Sequence, residues 1–220
     1  MELGTVLSIN VGKLQKMQHG SKEIITGINK AAVRKFPIAL ARLGLEGDAQ
    51  GDLVFHGGED KAVCVYSAEH FPFWSERWQR PVEAGAFGEN FTVSQLTEGD
   101  LCIGDILRVG EAIVQVSQPR QPCYKLGMKH GLPQLAVEVQ ETGYTGFYLR
   151  VLKEGSVQEG DKLLLQERHP AGITVTEANR VMHKDKKDLA GIRSLLAVPE
   201  LAVSWQQQLS KRQGALRTDG

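Results

Sequence analysis

Short apolar runs recur through the first 165 residues, separated by glycines. Val63-Cys64-Val65-Tyr66, Asn90-Phe91-Thr92-Val93, Ile106-Leu107-Arg108-Val109 and Ala112-Ile113-Val114-Gln115-Val116 are the clearest. They are strand length and rich in β-branched side chains, which pack well on a pleated surface. Gly104-Asp105 and Gly110-Glu111 bound one such run, and Gly160-Asp161 precedes Lys162-Leu163-Leu164-Leu165. Glycine paired with an acidic residue is turn chemistry. The rhythm predicts a mainly β fold, a many-stranded sheet or barrel, with helical interruptions around residues 68–79 and 132–141.

The pattern changes near Pro170-Ala171-Gly172. Thr174-Val175-Thr176-Glu177 fits a capping box, in which a hydroxyl and a carboxylate satisfy each other's backbone donors at a helix start. Pro199 suits a first helical position, and Leu201, Trp205 and Leu209 form one helical stripe. Three short helices are expected between residues 174 and 213. The division is therefore a strand-rich sheet or barrel over 1–170 and a helical extension over 171–220. So few large apolar groups make a weak independent core, so the extension should pack on the barrel or on a partner.

Charge and cysteine content narrow the function. The 220 residues carry 26 basic and 26 acidic side chains. That balance provides no global field for a nucleic-acid polymer or an anionic membrane, though a local basic pocket stays possible. No apolar run reaches spanning length. Met1-Glu2-Leu3-Gly4 lacks a signal-peptide start. Cys64, Cys102 and Cys123 have no CxxC spacing, which excludes a finger-type zinc site and suits a reducing, cytoplasmic compartment. The histidines offer no HExxH and no pair at i, i+4.

Four segments could carry chemistry. In the run from Ser21 to Lys30, Lys22, Thr26 and Lys30 could serve an anion, with Gly27 permitting close backbone approach. An exposed strand and turn would give the same pattern. In His56-Gly57-Gly58-Glu59-Asp60-Lys61-Ala62-Val63, backbone N–H groups could converge on a ligand, with Asp60 and Lys61 fixed by the following strand. A glycine-rich hairpin turn is the plain alternative. Gly88-Glu89-Asn90 presents an acceptor and an amide after a tight turn, and a bulged strand start explains it equally well. In Gln118-Pro119-Arg120-Gln121-Pro122-Cys123-Tyr124-Lys125, a cysteine leaves a strand between two cations, which favour the thiolate. Cys64 and Cys102 sit in apolar runs and read as small core residues.

Taken in order and spacing, these motifs, with Ile103-Gly104-Asp105, closely resemble the MOSC domain, the module named for the C-terminal part of molybdenum cofactor sulfurase. The likeness covers about residues 20–165. The tail from Thr174 through Leu201 is similar to the three-helix extension of YiiM-type proteins. The resemblance implies a MOSC-type β-barrel and a molybdenum cofactor, a molybdopterin-bound metal, ligated by Cys123. It further implies cofactor contacts from Lys22, Thr26, Gly27, Lys30, His56, Gly57, Gly58, Asp60, Lys61, Gly88, Glu89, Asn90, Arg120, Gln121 and Cys123. Lys22, Lys30, Arg120 and the Gly57-Gly58 backbone would take the phosphate, and Asp60, Glu89 and Asn90 the pterin edge. Cys123, His56 and Asp60 would be the catalytic set, the last two as proton donors.

The implied activity is reduction of N-hydroxylated compounds, including hydroxylaminopurine-type base analogues, a detoxification. Electrons would come from a separate reductase, since no GxGxxG stands in a strand-to-helix context. A Cys123 persulfide acting as a sulfur carrier, a hydrolase using Cys123 and His56, and a non-catalytic binder of a small anion remain open alternatives.

Overall fold

The computed structural model describes residues 1–20, 22–34, 37–50 and 57–218; the side chains of His19, Lys22 and Thr218 lie outside that description. The strands are β1 Glu2–Val11, β2 Gln15–His19, β3 Lys22–Thr26, β4 Ala31–Ala32, β5 Ile38–Ala41, β6 Gly44–Leu45, β7 Val63–Ser67, β8 Phe91–Ser94, β9 Ile106–Val109, β10 Ala112–Pro119, β11 Phe147–Lys153, β12 Gly155–Val157 and β13 Lys162–Glu167. The helices are α1 Phe71–Trp78, α2 Tyr124–His130, α3 Leu135–Thr142, α4 Val175–Asn179, α5 Leu189–Leu196 and α6 Val203–Thr218.

Strand order β13-β9-β10-β11-β7-β8-β1, closed by β1 pairing back to β13, makes a seven-stranded barrel. All its ladders are antiparallel except β7–β8. A parallel pair needs a crossover, and α1 lies within the one that joins these strands. Closure removes the free edges that a strand-rich sheet would otherwise expose. Every residue of β7 is buried, because the strand faces the barrel interior on one side and the helices on the other.

Two apolar clusters follow. Val63, Val65, Phe91, Val93, Val114, Val116 and Leu149 fill the barrel. Tyr66, Trp74, Phe87, Leu126, Leu135 and Val139 sit beneath α1, α2 and α3. There Trp74 Nε1 donates to the Tyr66 hydroxyl at 2.6 Å, and the Tyr66 and Phe87 rings stack with centroids 3.9 Å apart.

The helical extension packs on the barrel. Val175, Ala178, Val181, Ile192, Leu195, Leu201, Trp205 and Leu209 belong to the same buried cluster as the barrel interior. Only half of the expected capping box forms. Thr174 Oγ1 accepts from Glu177 N at 3.1 Å, whereas the Glu177 carboxylate is taken by Arg180. Arg180 also pairs with Asp185 and Asp188, clasping the π-helical segment Arg180–Lys184 that follows α4 to the start of α5. Pro199 does not open a helix. It sits in a turn between α5 and α6, and α6 starts only after Ala202 N donates to Ser117 O at 2.9 Å. Among the described residues, no helix is long and apolar enough to cross a membrane.

Candidate functional site

Near the start of β7, where Cys64 lies opposite Tyr148 on antiparallel β11, the end of β1, the segment leading into β8 and the segment leaving β10 come together. The segments meeting there enclose a cleft of about 620 Å³, its open mouth included. Its wall includes Thr26, Gly27 and Lys30 after β3, Lys61 and Cys64 at β7, Gly88 and Asn90 before β8, Arg120, Gln121, Cys123 and Lys125 after β10, and Tyr148 on β11. Gly27 is required for close approach: a Cβ there would fall 1.9 Å from the Ala49 carbonyl oxygen. Gly88 has φ +72°, and a Cβ on it would meet Ile28 at 2.8 Å.

Arg120 is the electrostatic centre. It is 6 % exposed, and one guanidinium nitrogen donates to the Phe87 carbonyl at 2.5 Å. The other, Nη1, is buried with no partner among the described residues. Burial opposes its charge, but the acidic groups around it, Cys64, Tyr148, Cys123 and Glu89, hold its pKa above the ordinary value. Lys125 is also buried and makes no ion pair among the described residues. Cys123 is half-buried and caps α2 in extended conformation. No group of three or more His, Cys, Asp or Glu able to hold a metal occurs among the described residues. Cys123 offers a soft thiolate, the donor type that suits a soft metal centre.

Other expected contacts are differently employed. Lys30 Nζ lies 2.5 Å from Asp48, with the two side chains 7 % and 4 % exposed, so its charge is already neutralised. Asn90 lines the cleft but spends its amide on Cys64 N, Asn10 O and Asp48 Oδ2. Gly57, Gly58, Asp60 and Glu89 do not line it. The buried Glu89 carboxylate accepts from Gly85 N, Phe87 N and the Thr92 hydroxyl; burial raises its pKa and these donors pull it back. Asp60 faces Arg150, whose Nη2 lies 2.7 Å from Oδ1, and is a structural hub instead of a proton donor to the cleft. His56 and the Lys22 side chain lie outside the described residues.

Two lining residues escape the sequence reading. Cys64 faces the cleft, and its thiol is pushed up by burial, offset by the nearby Arg120. Tyr148, its ladder partner, lines the same wall, and burial raises its pKa, with Cys64 raising it further and Arg120 opposing. Only the β7–β11 register brings them together, and no local motif signals it.

The family comparisons agree with this geometry. The MOSC domain family matches residues 52–164, and the "YiiM-like, 3-alpha helix domain" family matches residues 173–212. Protein YflK of Bacillus subtilis is 51 % identical over 212 residues, covering 96 % of each chain. The crystal structure of YiiM from Geobacillus stearothermophilus superposes with a TM-score of 0.82 at 40 % identity, covering 96 % of this chain and 99 % of that one. A protein of Gibberella moniliformis named "Reductase" is 33 % identical over 185 residues, 81 % of this chain but 32 % of that longer protein. A barrel with this cleft, joined to this helical tail and matched in both parts, makes the chain a member of the MOSC family, in the branch with the YiiM-like three-helix extension.

Proposed function

We propose that the cleft binds a molybdenum cofactor with Cys123 as the protein ligand, and that the protein reduces N-hydroxylated compounds such as hydroxylaminopurine-type base analogues. One observation carries the reading: a half-buried thiol shares a cleft with a buried arginine whose Nη1 has no partner among the described residues. A buried donor without an acceptor costs about 1–3 kcal/mol, a cost that an anionic ligand there removes. The cofactor's phosphate supplies such an anion, and its metal a soft centre for sulfur. The distant relative named for reductase activity supports an oxidoreductase assignment.

Within this reading the anion contacts fall to Arg120 and Lys125. Lys30 instead holds Asp48, which in turn holds Gly12 N and Asn90, and so shapes the wall. The bound group supplies two-electron chemistry at a metal. The chain orients it through Cys123, excludes water with the Tyr148 ring and the Thr26–Ile28 wall, and presents transferable protons at Lys125 Nζ and the Tyr148 hydroxyl. Conversion of R–NHOH to R–NH2 consumes two electrons and two protons and releases water, so a separate reductase is the partner. Protein made in a cofactor-producing host should carry molybdenum and reduce a simple hydroxylamine with a chemical electron donor. Cys123→Ser should lose the metal. Equal metal in both proteins removes Cys123 as ligand, and sulfide release from metal-free wild type would favour the sulfur-carrier alternative.

A further inference from the structure

The C-terminal helix α6 starts against both segments that carry the sulfur atoms of the cleft. Ala202 N donates to Ser117 O at 2.9 Å. Ser204 Oγ donates to Gln118 Oε1 at 3.3 Å, and Gln121 Nε2 donates to Gln208 Oε1 at 3.4 Å. These are three points along the run that leads to Arg120 and Cys123. On the other side Val203 N donates to Asp60 Oδ2 at 3.1 Å. The second Asp60 oxygen accepts Arg150 Nε and Nη2 at 3.0 and 2.7 Å, and the Asp60 carbonyl accepts the Ser117 hydroxyl at 2.5 Å. Asp60 directly precedes Lys61, and Cys64 follows on β7. Buried Leu201, Trp205 and Leu209 anchor the helix in the shared core, so it cannot slide without opening that core.

We propose that α6 is a positioning element of the site, and that through Asp60, Ser204 and Gln208 it fixes segments 60–64 and 117–123 against each other and so sets the orientation and reactivity of the Cys123 thiol. The proposal rests on Cys123 being the ligating or reacting atom. Groups one layer behind a ligand hold it to within about 0.5 Å of its productive position, and their removal weakens metal binding about 10- to 100-fold. Asp60 thus acts through Arg150, Ser117 and the helix, and not on a substrate.

The test follows alkylation of Cys123 by iodoacetamide in metal-free protein from pH 6 to 10, read by peptide mass spectrometry, with buried Cys102 as the internal control. Ser204 is half-buried and Gln208 exposed, so the Ser204→Ala/Gln208→Ala double variant leaves the core intact. Its Cys123 alkylation rate should change by at least about threefold, with that of Cys102 unchanged. Asp60→Ala should do the same or more, whereas Asp60→Asn, which keeps an acceptor for Val203 N, should return toward the wild-type profile. Wild-type profiles in the double variant and in Asp60→Ala would overturn the proposal. So would a parallel change at Cys102, which would signal general loosening. If Asp60→Ala does not fold, the double variant decides alone. Shifted profiles in a protein that never carries molybdenum would leave the positioning role standing and remove the cofactor reading; unshifted profiles in a molybdenum-loaded protein would do the reverse.

Discussion

Replacing Lys30 by methionine should cost the fold about 3–5 kcal/mol, the usual cost of stranding one partner of a buried ion pair. The pair is well enclosed, with side-chain exposures of 7 % and 4 %. Among the described residues Asp48 would keep only neutral donors, Gly12 N at 2.8 Å and Asn90 Nδ2 at 2.9 Å. In a chain of this size each kcal/mol moves the melting temperature by about 2–4 °C, so the loss should read as a drop of roughly 6–20 °C. Asp48→Asn removes the stranded charge while keeping an acceptor, and the double variant should recover most of the loss. Urea unfolding of the wild type, both single variants and the double variant isolates the pairwise energy, expected at about 2 kcal/mol or more. A loss below about 1 kcal/mol for Lys30→Met, or additive single effects, would refute the pairing. Lys30 would then return to the role the sequence suggested, a cation held for an anionic ligand.

His183 should make the protein acid-sensitive. Burial first, then the positive charges of Lys186 and Arg212, lower its pKa to about 4, and its Nε2 is buried without a partner among the described residues. A lowered folded-state value means that this contribution is complete above the unfolded value of about 6.5 and is lost as pH falls from there through 4. The linkage is worth about 1–3 kcal/mol after allowance for partial solvent access. Urea midpoints of His183→Gln should show a shallower slope over that window, and an identical slope would remove the assignment. Gly27→Ala should disturb the cleft wall by colliding with Ala49 O, lowering stability by about 1–3 kcal/mol, and a fully stable variant would contradict that contact. Arg120→Gln should weaken inorganic phosphate binding to the metal-free protein about tenfold or more, as titration calorimetry would detect; unchanged affinity would place the anion elsewhere.

Local signals carried much of this fold. The run Ile106–Val109 forms β9 with the expected limits, Thr174 caps α4, and Leu201, Trp205 and Leu209 reach the core as one stripe. The cleft was legible where a motif concentrates unlike residues: Arg120 and Cys123 within one short run, Gly27 and Lys30 in another. It was illegible where residues meet through register alone. Cys64 reads as a core side chain because its run is wholly apolar, and Tyr148 has no local mark, yet the β7–β11 ladder sets them opposite each other. Asp60 and Lys30 misled for a different reason. A charge within a conspicuous motif looks like a ligand group until its counter-charge, Arg150 or Asp48, is seen across the fold. Helix α2 was hidden by the two prolines before it and by Gly127 within it, which signal loop.

The closing ladder of the barrel joins the first strand to the last. Glu2 faces Leu164, and Val6 N donates to Asp161 O. During synthesis β1 can take β4 and β8 as neighbours early, but the Glu2–Thr5 stretch of its other edge stays bare until β13 has left the ribosome. Pairing so distant in sequence is slow, because loop-closure entropy is spent before the contacts repay it. The nascent chain therefore passes through a stage with an open strand edge, the form in which β-rich chains associate wrongly. The helices after β13 emerge last and bury the end of the same core, so premature termination before residue 201 should yield insoluble product instead of a smaller working barrel.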